Sequence, residues 1–357
     1  TNTAVGYGAL YAGTGARNTV MGYNAGLAAG AHNDNVFVGS SAGTAVTDGP
    51  GNVLIGSSAG AAMTTGDYNV AIGFQAADSM VGDSDYNIAI GGNALAGEAS
   101  GADSCIAIGL NALLVQNDAS AINLAIGLKA GEAVTSGTKN VLIGHEAGKA
   151  IQDDNNNTAV GYNALKAATA GEANTAFGAY AMGLGATTGH NNVCVGLNAG
   201  YDLTGGDSNT IVGKHAGYNA TTAKQNVIIG LDACGLGVLA NASSTEGMYN
   251  VVVGPGAGYD LTSGESNILL GKDAGANLTD VANNVAIGFG ALDAGTGCSG
   301  NIAIGANTLG AEAGGSDHCV AVGHQALALQ NGDVKNTAIG GLAGAELVGG
   351  SGNTLVG

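Results

Sequence analysis

The sequence predicts an all-β fold, a parallel β-solenoid of about 21 coils with a period of 17 to 18 residues. The pattern Asn-x-apolar-apolar-Gly-x-x-Ala recurs from one end of the 357 residues to the other. Glycine supplies 66 residues and proline only 2, and the pattern glycines are 16 to 18 residues apart in 19 of 20 intervals. A fixed period of this size is typical of repeat architectures, in which each unit stacks on its neighbours. Residues 1–357 are therefore interpreted as one continuous solenoid.

A short strand is predicted before each pattern glycine, which we call the anchor glycine. The two preceding residues are apolar in every copy, as Leu54 and Ile55 are before Gly56, and the third is Val, Ile, Leu or Thr. Because side chains alternate between the faces of a strand, this strand is apolar on both faces, as in a strand buried on both sides. Seventeen residues leave room for two short strands and two turns, but not for a strand–helix–strand unit of about 30 residues. At about 4.8 Å per coil, the stack is expected to form a rod on the order of 100 Å long.

Three further positions of the repeat have predicted roles. The anchor glycine fits a corner where φ is positive or where backbones approach closely. The alanine three residues later, replaced only at Thr308, indicates tight packing between coils. The asparagine four residues before the glycine occurs in 19 of 21 copies, with Cys105 and Cys319 as the exceptions. It predicts an internal ladder of side-chain amides, and a polar binding stripe is the alternative. The repeat positions that we single out are Asn18 and Gly22, Asn35 and Gly39, Asn52 and Gly56, Asn69 and Gly73, Asn140 and Gly144, Asn157 and Gly161, and Asn284 and Gly288.

The outward face of the strand predicts self-association. One thin coil has a single interior, and the repeat leaves no residues for a helix or second domain that could cover the other apolar face. Each fully buried Val or Ile contributes roughly 1.5–3 kcal/mol. One such face repeated over the chain would stabilise an obligate assembly, because net stabilities are only about 5–15 kcal/mol.

Composition excludes several classes of partner. The chain has 9 basic and 27 acidic residues, for a net charge of −18. Binding to nucleic acid or to an anionic membrane needs clustered Lys and Arg, so neither is expected. No run of about 18 apolar residues predicts membrane insertion in this segment.

The five cysteines match neither a disulfide framework nor a zinc pattern. Because a repeat is already under way at Thr1 and another ends at Gly357, we expect a fragment of a longer fibre.

Few residues suggest a chemical site, and we predict neither an enzyme nor a cofactor. Polar residues follow repeat positions, whereas a catalytic constellation needs residues placed once. His318, Cys319 and His324 lie close in sequence, but zinc needs a fourth ligand and none follows. The acidic loops 82–86 and 153–157 could offer oxygen ligands to Ca²⁺, and solvated turns are the default interpretation. Residues 231–250 form a longer inserted loop, of the kind that solenoids tolerate on one face or use for binding.

Copies such as NTAVGYNA at 157–164 and NIAIGGNA at 87–94 resemble the head repeat of YadA-like trimeric autotransporter adhesins, and similar repeats occur in bacteriophage tail fibres. The resemblance covers essentially the whole chain, although the coil here is longer. It implies a left-handed β-roll with three chains around one axis, on a virion or a bacterial cell surface. The implied function is the shaft of a phage tail fibre that presents a receptor-binding tip. The alternative is an adhesin head that binds host or matrix ligands.

The resemblance also implies the chain's partners: two further copies, other fibre segments or the tip, and a host receptor or glycan. A third class, a carbohydrate-active solenoid, would need a groove with paired carboxylates and aromatic side chains. Aromatic residues make up only 4% of the chain, which disfavours that class.

Overall fold

The computed structural model describes residues 1–28, 30–97, 103–118, 120–237, 239, 247–294, 297–311, 317–331 and 335–357. Within those ranges it shows 21 strands of three residues and no helix, which confirms the all-β parallel solenoid. The chain divides into two compact units, Thr1–Asn174 and Thr175–Gly357. Since the described ranges contain no helix, they contain none that could span a membrane.

Every strand ends at the residue before an anchor glycine, as the repeat predicts. The first unit has β1 Thr3–Val5, β2 Thr19–Met21, β3 Val36–Val38, β4 Val53–Ile55, β5 Val70–Ile72, β6 Ile88–Ile90, β7 Ile106–Ile108, β8 Leu124–Ile126, β9 Val141–Ile143 and β10 Thr158–Val160. The second unit has β11 Thr175–Phe177, β12 Val193–Val195, β13 Thr210–Val212, β14 Val227–Ile229, β15 Val251–Val253, β16 Ile268–Leu270, β17 Val285–Ile287, β18 Ile302–Ile304, β19 Val320–Val322, β20 Thr337–Ile339 and β21 Thr354–Val356. Within each unit, successive strands pair in parallel and in register, so that Leu54 lies beside Ala71. Each coil is numbered below by its strand.

Each coil has one regular strand in the described ranges, although its length leaves room for two. The pairing elsewhere in those ranges is limited to isolated bridges such as Lys224 with Met248. A residue in the left-handed region five positions before the anchor glycine, such as Tyr68 with φ of 54°, interrupts the extended backbone. The backbone beside it bonds to a side chain of the neighbouring coil, since the N–H of Asn69 donates to Oδ1 of Asn52 at 2.8 Å. Asparagine side chains thus supply hydrogen bonds between coils where a second strand would have formed backbone hydrogen bonds.

The anchor glycine is required for two reasons, which Gly56 illustrates. Its φ is 137°, a conformation that residues with a side chain rarely adopt. A Cβ added there would lie 2.2 Å from the carbonyl oxygen of Gly73 in the next coil. Backbone conformation and coil-to-coil approach therefore exclude any larger residue.

Core volume is divided between two positions of each coil, the middle of the strand and the fourth residue after the anchor glycine. Leu54 fills the core of coil 4, and a Cβ added at Gly60 would lie 2.8 Å from its Cδ1. Coil 6 has the reverse arrangement, with Ala89 in the strand and Leu95 at the second position, and both side chains are buried. Other coils with a large strand centre pair Phe37 with Gly43, Leu142 with Gly148 and Leu269 with Gly275, whereas coils with a small centre pair Ala107 with Leu113, Ala159 with Leu165 and Ala286 with Leu292.

Adjacent coils also share core volume. Coil 8 has small residues at both positions, Ala125 and Gly131. A Cβ added at Gly131 would lie 3.0 Å from Leu113 of coil 7 and 2.8 Å from Leu142 of coil 9. The larger side chains of both neighbours therefore fill the space that coil 8 leaves, as dense packing of a thin core requires.

Candidate functional site

The repeated asparagines form an internal ladder. Asn52 is fully buried, and its Nδ2 donates to the carbonyl oxygen of Gly66 at 2.7 Å. Its Oδ1 accepts the N–H of Asn69, which begins the same contacts in the next coil. At most 1% of each singled-out asparagine is exposed: Asn18, Asn35, Asn52, Asn69, Asn140, Asn157 and Asn284. This burial contradicts the alternative of a polar binding stripe.

The anchor glycines paired with these asparagines share one backbone conformation. Their φ values lie between 135° and 146° at Gly22, Gly39, Gly56, Gly73, Gly144, Gly161 and Gly288. The singled-out positions therefore build the frame of the solenoid and leave ligand binding to other residues.

The two coils that have cysteine in place of the asparagine contain a compensating glutamine. Gln116 lies eleven residues after Cys105, and its Oε1 accepts from Nδ2 of Asn123 at 2.7 Å. Gln330 lies eleven residues after Cys319 and accepts from Nδ2 of Asn336 at 2.8 Å. In several other coils, the preceding asparagine Oδ1 accepts this proton, as Oδ1 of Asn209 does from Nδ2 of Asn226 at 3.1 Å. The glutamine thus restores an acceptor where cysteine has removed one.

Ion pairs connect coils 8 to 10 at the surface. Glu146 accepts from Nζ of Lys149 at 2.8 Å and lies 2.6 Å from Nζ of Lys166, and Lys149 is also 3.7 Å from Glu132. The hydrogen bond from Lys149, followed by that from Lys166, lowers the pKa of Glu146 to about 2. The side chain of Glu146 is only 13% exposed, so this network is better shielded than an ordinary surface pair.

The acidic loops use their carboxylates to connect coils. Asp153 accepts from Oγ1 of Thr135 at 2.6 Å and from Oγ of Ser136 at 2.7 Å, and these bonds lower its pKa. In the loop at 82–86, Oδ1 of Asp85 accepts the N–H of Asp67 at 2.7 Å. These loops therefore act as cross-coil hydrogen-bond acceptors.

His318, Cys319 and His324 do not converge. Cys319 is buried inside the coil, whereas His318 and His324 are exposed. Across the ranges that the structure describes, no three His, Cys, Asp or Glu side chains form a group that could hold a metal ion. Burial raises the pKa of the Cys234 thiol to about 12. That thiol is therefore protonated at neutral pH and a poor nucleophile.

The outward sheet face consists of the first and third side chains of each strand. In β18, Ile302 and Ile304 are 37% and 36% exposed, while Ala303 between them is completely buried. Most other strands repeat this alternation of one buried and two partly exposed side chains. These two positions contain only Thr, Val, Ile, Leu, Met or Phe in all 21 described strands. Each unit therefore presents an uncharged strip along its sheet, although the chain carries a net charge of −18.

The inserted segment 231–250 lies partly outside the described residues, which omit 238 and 240–246. Of its described part, Leu231, Asp232 and Gly235 line surface recesses together with tyrosines of neighbouring coils. Tyrosines also stack from coil to coil elsewhere, as Tyr68 and Tyr86 do with ring centroids 5.6 Å apart. The sequence analysis did not predict these recesses, because they form where one coil lacks a side chain that its neighbours have at the same position of the repeat.

Among the described residues, the uncharged sheet face and the tyrosine-lined recesses are thus the surfaces that suggest interactions. Because they differ in chemistry, they call for different partners. No protein-family model matches the chain, and no curated protein matches it either.

Proposed function

We propose that this chain is the structural shaft of an attachment appendage, a phage tail fibre in which three copies assemble and present a receptor-binding tip. The role is mechanical and non-enzymatic, and it places the protein outside the cell, on a virion surface. The observation that carries the proposal is the outward sheet face, which is uncharged along every described strand, has Val, Ile or Leu at most of its positions and is only partly buried in one chain. A face of this kind indicates an interaction site, because soluble monomers rarely expose long contiguous apolar patches.

Charge favours a second and third copy as the cover for this face. The chain carries 27 acidic and 9 basic residues, so its other surfaces repel one another. The first and third strand positions contain no charged residue in the described strands, and two such strips can meet without burying a charge. Burying a charge without a partner would cost several kcal/mol. Burying half-exposed Val and Ile side chains stabilises the contact by about 25 cal/mol per Å².

Native mass tests the proposal. Light scattering at micromolar protein and again after dilution should give the mass of three chains of 34.1 kDa, which is 102.3 kDa. A stable mass of 34.1 kDa would overturn the trimeric shaft, and so would a stable dimer.

A charge on the sheet face tests which surface assembles. The double variant Ile55→Asp and Ile72→Asp places two carboxylates at third strand positions of adjacent coils. We expect it to dissociate to monomers that keep the β-sheet circular-dichroism spectrum. The matched control is Ser40→Asp with Ser57→Asp, which adds the same charge at exposed positions just after two anchor glycines. Dissociation of the control to the same degree would contradict the proposal.

The alternative is a bacterial cell-surface adhesin head whose lateral surface binds host or matrix ligands. The tyrosine-lined recesses of the second unit favour it, because a passive shaft needs no concave surface. Neighbouring genes distinguish the two: virion structural genes support the fibre, and a membrane-anchor segment in the same reading frame supports the adhesin.

A further inference from the structure

The second unit carries a column of tyrosines that is interrupted once. The fifth residue after the anchor glycine is Tyr201, Tyr218, Gly235 and Tyr259 in coils 12 to 15. The rings of Tyr201 and Tyr218 stack with centroids 4.9 Å apart and planes at 18°. Because Gly235 has no side chain, coil 14 contributes no ring to this column. Tyr218 in coil 13 and Tyr259 in coil 15 are therefore neighbours in the column, two coils or about 9.6 Å apart at the spacing of parallel strands. That separation leaves a slot wide enough for one ring between two aromatic side chains.

Polar groups line the same slot. Asn198, His215 and Asp232 bound a cavity of about 240 Å³ together with Tyr218 and Tyr259. The Nδ1 atom of His215 lies 3.0 Å from Oδ1 of Asp232, and the two side chains are 34% and 40% exposed. The imidazole also packs edge-on against Tyr218, with centroids 5.6 Å apart and planes at 81°. These contacts orient an imidazole and a carboxylate beside the aromatic walls while both remain accessible to a ligand.

A second recess adjoins the slot. It has a volume of about 330 Å³, and it shares Asp232 and Tyr259 with the slot. Gly256 lies at the second position after its anchor glycine, where the coils on either side have Asp232 and Asp273. A Cβ added at Gly256 would lie 2.6 Å from Oδ1 of Asp273, so the missing side chain leaves room for that carboxylate beside the recess. Tyr259 therefore separates two concave sites along one groove.

We propose that this groove binds a neutral saccharide, with one sugar residue in the slot between Tyr218 and Tyr259. The C–H faces of a pyranose are apolar and suit aromatic walls, while its hydroxyl groups can donate to Asp232 and bond with His215 and Asn198. Pockets for drug-sized ligands are about 300–1,000 Å³, so 240 Å³ suits a single sugar residue and the adjoining recess suits the next one.

Charge disfavours the acidic sugars. Asp232 places a carboxylate in the groove of a chain whose net charge is −18, whereas the carboxylate of Asp273 lies 3.1 Å from Nζ of Lys272, so a uronic or sialic acid should bind more weakly than a neutral sugar. The groove is built within one chain and does not depend on the proposed trimer or its tip. It would give the lateral surface a binding activity beyond a mechanical role.

Ligand-observed NMR on the full chain tests the proposal. The probes are lactose, maltose, cellobiose and N,N′-diacetylchitobiose at millimolar concentration, with 3′-sialyllactose as the acidic comparator. We expect saturation transfer to at least one neutral probe and weaker transfer to the acidic one. Tyr218→Ala and Tyr259→Ala should each reduce affinity about tenfold, which corresponds to the loss of one aromatic contact.

The control is Tyr68→Ala, which removes one ring of a stacked pair in the first unit and should leave binding unchanged. Circular dichroism and native mass of every variant separate loss of the site from loss of folding or assembly. The proposal is overturned if no neutral probe binds, if sialyllactose binds best, or if binding survives loss of both walls in the double variant Tyr218→Ala and Tyr259→Ala.

Discussion

The exchange of core volume between Leu54 and Gly60 can be tested by swapping it. Leu54→Ala removes a completely buried side chain and should cost about 2–5 kcal/mol of unfolding free energy. Gly60→Leu alone places its Cβ 2.8 Å from the Leu54 Cδ1 atom and should cost about 1–3 kcal/mol through overpacking. The double variant reproduces the arrangement of coil 6, in which Leu95 adopts φ of 51°. We expect it to be more stable than the sum of the two single effects predicts, with a coupling energy of about 2–3 kcal/mol.

Urea unfolding measures the four free energies of this cycle, and hydrogen exchange of the Val53–Ile55 amides reports the local effect, because a long repeat array need not unfold in one step. The reverse swap in coil 6, Ala89→Leu with Leu95→Gly, is the matched control and should show coupling of the same sign. If the two substitutions in coil 4 are additive, volume is not exchanged between these positions and the reasoning is wrong.

Three other perturbations test the remaining contacts. Gln116→Leu should cost about 1–3 kcal/mol in urea unfolding, because it leaves a buried amide proton of Asn123 without its acceptor; adding Cys105→Asn should recover most of that loss, and no recovery would contradict the proposed compensation. Glu146→Gln should cost about 1 kcal/mol at pH 7. Because the pKa of Glu146 is lowered from 4.5 to about 2, its contribution is present above pH 4.5 and is lost as the pH falls towards 2; a pH-independent difference from the parent protein would refute this. Gly56→Ala should cost about 2–4 kcal/mol in thermal unfolding, through positive φ and contact with the next backbone, whereas Gly349→Ala, with open space around it, should be near neutral.

The features that depend on a single position of the repeat could be predicted from the sequence. The strand ends, the anchor glycine and the buried asparagine ladder each follow from a residue type that recurs at a single position. The strand pattern also predicted an apolar outward face, and the half-exposed pair Ile302 and Ile304 shows that face in a single chain. The resemblance to adhesin and fibre repeats remains a prediction about family and assembly.

Features that depend on two positions of the repeat at once, such as a cysteine and its compensating glutamine, were not predicted, although part of the signal was in the sequence. Gln116 and Gln330 each follow a cysteine by eleven residues, at a position that is apolar in most other coils. One further feature runs against a local preference. Leucine disfavours the left-handed region, yet Leu95 lies there because its N–H donates to the carbonyl oxygen of Ala112 in the next coil at 3.0 Å. Contacts between coils thus override a local preference that sequence reasoning weighs first.

Shared core volume also has a consequence for folding. A chain of nearly identical coils could dock each coil on the wrong neighbour, because one repeat left out as a loop would still let the remaining strands pair. If coil 8 were omitted in this way, Leu113 and Leu142 would be brought into the same space, which they now reach from opposite sides of Gly131. Such a misfolded chain would be overpacked at that point and would lose stability. Unequal side-chain sizes therefore make shifted registers less stable than the native one, which helps a repetitive chain to fold into a single register.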